Sequence, residues 1–367
     1  MGNTPLHRAV FWENKKLAEL LLRRGADPNA ANEAGTTPLH IVSMGDQCYD
    51  LAEMLFEICD QRNLTLLVDA RDNSGNTPLH LALKYSPLDK ESAIKLLLSR
   101  DADPNSANKE GSTPLYIVCD NYYGDQEDDV ANEFFEICSA QQWTIVVYAR
   151  DKLGRTPLQL AVTNLRPRLV DVLLNRGADL AYFVFPTAAR FAEGSGPERC
   201  NVQLGLVSGL LGCVERLGQA KYELVLDDVL AIMQFFADRG VYDRTADPRV
   251  YLHYGFDKEE DIMKKVRIQK DVTLHESTKA FDYASYLKLA NWREWRNLPA
   301  EPVEVCTWHL CGIMCRGLFG RWAEYPFWEL IHYRLPLECC RMIVDGLANQ
   351  DLMNICLTIK GLSQNGP

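Results

Sequence analysis

Five strings built on Thr-Pro-Leu recur through the first half of this 367-residue chain and constrain its fold more than any other feature: NTPLH (3–7), TTPLH (36–40), NTPLH (76–80), STPLY (112–116) and RTPLQ (155–159). Their prolines, Pro5, Pro38, Pro78, Pro114 and Pro157, lie 33, 40, 36 and 43 residues apart. Units of this length cannot each hide an apolar face alone, so they must stack and share one elongated core. The spacings alternate short and long. The first and third units end in RRGADPNAAN and SRDADPNSAN, whereas the second and fourth carry LFEICDQRNLTLLVDARD and FFEICSAQQWTIVVYARD. The period is therefore a double unit, and a two-repeat block has been duplicated.

Each unit reads as a helical hairpin. Thr caps the first helix and Pro fits its first turn, where its missing N–H costs nothing. A polar loop and a second apolar helix follow, such as LAELLL (17–22), and Gly25 is placed to end it in a left-handed conformation. A return segment then closes on a glycine turn, as at Gly35 and Gly75.

These strings and the 33-residue spacing resemble ankyrin repeats, five of them over residues 2–182. The long units carry 7 to 10 extra residues, around 125–129 and 64–68, which are expected to lengthen the fingers at little cost in stability. The chain begins inside its first unit, which implies a lost repeat or a start further upstream. The resemblance implies target binding by finger tips and the open side of the first helices: Phe11, Trp12, Lys84 and Tyr85 on helices, Tyr122 and Tyr123 just beyond one, and Glu33, Asn73, Lys109, Glu110, Lys152 and Arg155 at tips. Phe11 and Trp12 have a second reading, as the cover of an open stack end. His7, His40 and His80 are expected to bond neighbouring backbone.

With 39 Lys and Arg against 50 Asp and Glu, the net charge of −11 disfavours a general nucleic-acid binder. No secretory signal is expected. The apolar run 204–214 is too short to span a bilayer. Gly2 does not begin a myristoylation motif, since Leu6 stands where Ser or Thr is wanted. The matching cysteines of the two FEIC strings, Cys59 and Cys138, read as small core residues in a reducing, cytoplasmic compartment. Cys306, His309, Cys311 and Cys315 lack common zinc spacing and belong to an apolar helix. No cofactor, metal or membrane partner is expected. No phosphate loop, HExxH or GxSxG supports an enzyme.

Residues 183–300 read as a degenerate sixth hairpin and linker helices. Segments 201–217 and 224–237 are helical, MQFFADRGVYDR (233–244) echoes LLLRRGAD, and a further helix covers 283–296. The late Trp and Arg cluster (Trp292, Arg293, Trp295, Arg296, Trp308, Arg321, Trp322, Trp328) is read as packing rather than base stacking.

Residues 301–367 hold the last motif, YRLPLECCRMIVDGLANQDLMNICLT (333–358). Leu335-Pro336 opens a helix, Asn349 breaks it, and Asp351 begins a second short one. The pattern LPxE, then Ile, Leu and DLxN, resembles the F-box. Its place after ankyrin repeats resembles the PRANC proteins of poxviruses, endosymbiotic bacteria and parasitoid wasps. That resemblance implies docking to the Skp adaptor of a cullin-RING ubiquitin ligase through Leu335, Pro336, Ile343, Leu347, Leu352 and Ile355, with the repeats holding a protein target. It also implies work inside a host cell, in cytoplasm or nucleus. Cys339 and Cys340 replace an aliphatic pair, and Gly346 weakens the first helix by up to ~1 kcal/mol. The other reading is a helix pair that caps the stack of a binding scaffold or decoy. The fold expected is all-α: an ankyrin-repeat solenoid with β-turn fingers continuing into an F-box-like helix pair.

Overall fold

A computed structural model describes residues 2–45, 48–85, 90–120, 127–181, 183–194, 202–241, 267–269, 272–273 and 300–364. The chain divides into two units, one of Met1–Ala161 with Arg168–Phe183 and one of Val162–Pro167 with Val184–Pro367.

Helices dominate the first unit. They run as five pairs: α1 (Pro5–Phe11) with α2 (Lys15–Arg23), α3 (Pro38–Met44) with α4 (Cys48–Gln61), α5 (Pro78–Tyr85) with α6 (Lys90–Ser99), α7 (Pro114–Asp120) with α8 (Glu127–Ala140), and α9 (Pro157–Thr163) with α10 (Pro167–Asn175). First helices pack on first helices and second on second, so α3 meets α1 and α5 while α4 meets α2 and α6. The Thr-Pro reading holds at atomic detail. Thr4 and Thr37 are N-caps in extended backbone, each followed by Pro at the first helical position. Leu6, Leu39, Leu79, Leu115 and Leu158 are all buried.

The histidines tie unit to unit. The Nδ1 of His40 accepts the Thr37 N–H at 3.2 Å, and its Nε2 lies 3.0 Å from the Asn76 carbonyl. A carbonyl only accepts, so the ring is neutral with its proton on Nε2. His7 and His80 repeat this toward the carbonyls of Thr36 and Ser112. Tyr116 stands in the fourth unit and donates its hydroxyl to Asp151 instead, at 2.7 Å. In the fifth, the Gln159 side-chain oxygen accepts the Thr156 N–H at 2.9 Å.

The long units differ from expectation. The return segments 62–77 and 141–156 are each two residues longer than 24–37 and 100–113, as expected, but most of the extra residues lengthen the second helices, α4 and α8 having 14 residues against 9 in α2 and 10 in α6. The reason is their continued apolar periodicity: Leu51, Leu55, Ile58 and Cys59 of α4 are all buried. The finger turns keep one geometry throughout. Asn32, Asp72, Asn108 and Asp151 each accept two backbone N–H groups from the turn that follows. Residues 125 and 126 lie outside the described residues.

The second unit contains α11 (Ala188–Gly194), α12 (Val202–Gln219), α13 (Leu226–Asp238), a small antiparallel ribbon of β1 (Arg267–Gln269) and β2 (Val272–Thr273), α14 (Ala300–Leu330), α15 (Leu337–Val344) and α16 (Asn349–Gln364). The echo of LLLRRGAD at the end of α13 is an echo in geometry. Gly25 and Gly240 both have positive φ, and the N–H after each closes on the fifth residue back, Ala26 on Leu21 and Val241 on Phe236, both at 3.0 Å. An aromatic chain, Phe191–Phe235–Phe236–Phe319, forms the core with centroids 5.3 to 6.1 Å apart. α14 packs along α12, α15 and α16. Cys311 and Cys315 are buried within it, and burial pushes the Cys311 thiol up to about 12 and Cys315 well above its usual value. The side chains of Cys306, Trp308 and His309 lie outside the described residues, as do residues 283–296 with Trp292 and Trp295. Among the described residues, no helix is long and apolar enough to cross a membrane.

Candidate binding surfaces

The fingers are held in register by backbone. Asn73, Lys109 and Lys152 donate their N–H groups to the carbonyls of Ala34, Ser74 and Glu110 at 2.8, 2.9 and 2.8 Å. Gly35 and Gly75 permit this approach: each has positive φ, and a Cβ there would lie 2.8 Å from the N of Asn73 or Lys109. The tips thus form one continuous row that presents Glu33, Asn73, Lys109, Glu110 and Lys152 to solvent. The charges alternate in sign, which suits polar readout of a partner more than bulk attraction.

Arg155 is placed differently. Its Nε lies 2.7 Å from the Asp151 carboxylate, and its guanidinium sits over the Tyr116 ring. Burial alone raises the Asp151 carboxyl, but the bonds from Tyr116 and Arg155 outweigh it and hold the carboxyl below its usual value. Arg155 is therefore committed to the fold of its finger. Leu153, 68% exposed, is the outward residue of that finger. The sequence held the signal, since DKLG puts a large apolar residue where NEAG, DNSG and NKEG put Ala, Ser and Glu.

On the first helices, Phe11 and Trp12 are 62% and 76% exposed and meet edge to face at 5.3 Å. Lys84 lies over the half-exposed Tyr85 ring. Tyr122 and Tyr123 lie outside the described residues.

At the C-terminal end, α15 and α16 divide the candidate adaptor residues between two environments. Leu335 and Ile343 are each 40% exposed and Pro336 is exposed; beside them Met342, which the motif did not flag, is the most exposed of all at 77%. Leu347 and Ile355 are half-buried. Leu352 is fully buried, together with Cys340, Val344 and Cys356. It offers no surface in this conformation, and Cys356 lies against the Trp322 carbonyl of α14. Arg341 clamps α15 to α14 with two bonds to Glu324, at 2.9 and 3.1 Å. The buried Asn349 opens α16 and donates to the Gly312 carbonyl at 3.2 Å, while Asp351 caps it by accepting the Ala348 N–H. The expected short second helix instead has 16 residues, because Ile359 prolongs its buried face beyond Cys356.

The family model for ankyrin repeats matches residues 6–108 and 88–182. A putative ankyrin repeat protein of fowlpox virus is 30% identical over 142 residues, covering 31% of this chain and 74% of that protein. The chain belongs to the ankyrin-repeat family. The human transient receptor potential cation channel subfamily A member 1 is 29% identical over 180 residues, 49% of this chain and 15% of the channel. Human NF-kappa-B inhibitor alpha is 34% identical over 106 residues, 29% of this chain and 32% of the inhibitor. This chain thus aligns with a third or less of both human relatives. The family match ends at residue 182, a few residues beyond the end of α10 at Asn175. What the ankyrin fold supplies chemically is a row of finger tips beside a face of first helices.

Proposed function

We propose that this chain is a protein-binding adaptor. Its ankyrin repeats hold a target, and α15 with α16 engages the Skp adaptor of a cullin-RING ubiquitin ligase. The observation that carries the ligase half is the outward edge of α15: Leu335, Pro336, Met342 and Ile343 form an apolar strip on a helix clamped from behind. A strip of this kind on a rigid support suits helix-mediated docking. The mechanism is proximity, since joining target to ligase raises the local concentration of one near the other, and catalysis belongs to other subunits. The ankyrin relatives support a non-enzymatic binding role; one is named as an inhibitor of another protein. The site of action is the cytoplasm, of a host cell if the viral likeness extends to lifestyle.

A second reading, favoured by the burial of Leu352 and Cys356 against α14, makes the pair a cap on a scaffold or decoy that only sequesters its partner. Co-precipitation of the full chain with purified Skp adaptor and cullin separates the two. Capture lost in a Leu335→Asp, Ile343→Asp variant supports the ligase reading. Absence of capture by the parent chain favours the cap.

A further inference from the structure

The duplicated blocks allow the chain to be compared with itself, and at one place they differ in a way that opens a site. In the first block the side chain of Arg62, just beyond α4, reaches back and donates to the carbonyl of Leu22 at the end of α2. Arg23 closes the same junction by donating to the Gln61 side chain at 3.3 Å. In the second block Leu98 takes the place of Leu22, Ser99 of Arg23, Ala140 of Gln61, Gln141 of Arg62 and Trp143 of Leu64. The backbone is the same in both. Asn63 and Gln142 share positive φ, and Leu64 and Trp143 donate to Cys59 and Cys138 at 2.8 and 2.9 Å.

The shortened side chains leave a groove of about 290 Å³ between the ends of α6 and α8, lined by Leu98, Ser99, Asp101, Gln141 and Trp143. Its polar groups mostly accept. The Gln141 Oε1 is buried and has no hydrogen-bond partner among the described residues. A buried acceptor left so is costly, and a donor from outside would recover that cost. The Leu98 carbonyl takes one bond, from Asp101 N–H at 3.2 Å, where Leu22 takes both its backbone bond and Arg62. The Ser99 hydroxyl is turned away, donating to Leu96 at 2.7 Å. Asp101 adds a carboxylate and Trp143 a ring face.

We infer that this groove binds an arginine side chain presented by a partner polypeptide, which takes the place Arg62 fills from within the first block. A guanidinium supplies donors in a planar fork, matches the carbonyl, amide oxygen and carboxylate together, and stacks on indole. The site lies at the ends of second helices, apart from the finger tips, and does not depend on the ligase reading.

The test is titration of the full chain with acetyl-Gly-Arg-Gly-amide, read by the NMR shift of the Trp143 indole N–H and by calorimetry. Saturable binding is expected, with the lysine and citrulline counterparts at least ~10-fold weaker. Gln141→Arg, which copies Arg62, is expected to abolish binding with the thermal midpoint at or above that of the parent. Ser99→Arg closes the groove from the other wall and is expected to do the same. No response to the arginine peptide, equal binding of citrulline, or undiminished binding in both variants would overturn the inference.

Discussion

At the residue scale, the stack is joined by a few side chains that each complete the backbone of a neighbour. Asn29 is the clearest, donating to Thr65 O at 2.6 Å and accepting from Leu67 N at 2.8 Å. Asn105 does the same to Thr144 and Val146. Between them stands Asp69, whose carboxylate accepts from Asp103 N at 3.2 Å but has nothing to donate. Burial and the nearby Asp103 charge raise its carboxyl, against the bond from Asp103 N–H and the Arg71 charge. Asp69→Asn keeps the acceptor, removes the charge and adds the donor its neighbours use. It is expected to raise stability by about 1 kcal/mol at pH 7, read by urea denaturation. A second prediction concerns the histidines. Burial lowers His40 and His80 from 6.5 against the pull of their carbonyl partners. The unfolded chain therefore binds protons first as pH falls, and stability present above pH 6.5 is lost progressively below it, toward the lowered folded values. Gln159 already does the work of the ring nitrogen in its own unit. His80→Gln is accordingly expected to lower stability at pH 7 yet flatten the slope of unfolding free energy between pH 5 and 6.5.

At the scale of elements, the first helices were legible in detail, because Thr, Pro, Leu and His each have one physical reason to stand where they do. What was not legible was the use of the surplus in the long units. A loop and a longer helix have the same residue count, and only the burial of Ile58 and Cys59, beyond the length of α2, decides for helix. The same holds for α16, where the motif ended but the apolar face did not. The ties of Arg155 were hidden for a related reason: nothing in RTPLQ shows that Tyr116 and Asp151 wait 39 and 4 residues away to bind it. In α12, Gly209 is required by contact alone. A Cβ there would stand 2.7 Å from the Leu165 carbonyl, within the same unit. Gly209→Ala is expected to cost about 1–3 kcal/mol, lowering the thermal midpoint, whereas Gly205→Ala, with nothing within 4 Å, is expected to be neutral or stabilising. On α15, Met342→Asp is expected to leave stability within ~0.5 kcal/mol, and Leu352→Ala to lose about 2–5 kcal/mol, because only the second is sealed in the core.

For the whole molecule, the proposed function divides the work of an adaptor between the repeats, whose row of tips would select a protein, and the C-terminal helices, whose apolar edge would deliver it. The repeat half could be read from sequence because its motif recurs five times and each copy checks the others. The C-terminal pair occurs once, so sequence alone could not separate the residues that face outward, Leu335 and Ile343, from Leu352, which faces in. The most direct test of the adaptor claim is hydrogen–deuterium exchange of the full chain with and without purified Skp adaptor bound to cullin. Slowed exchange confined to α15 and its flanks, residues 333–348, with the repeats unchanged, is the result expected. Unchanged exchange across α15, or protection that appears only over the repeats, would contradict it.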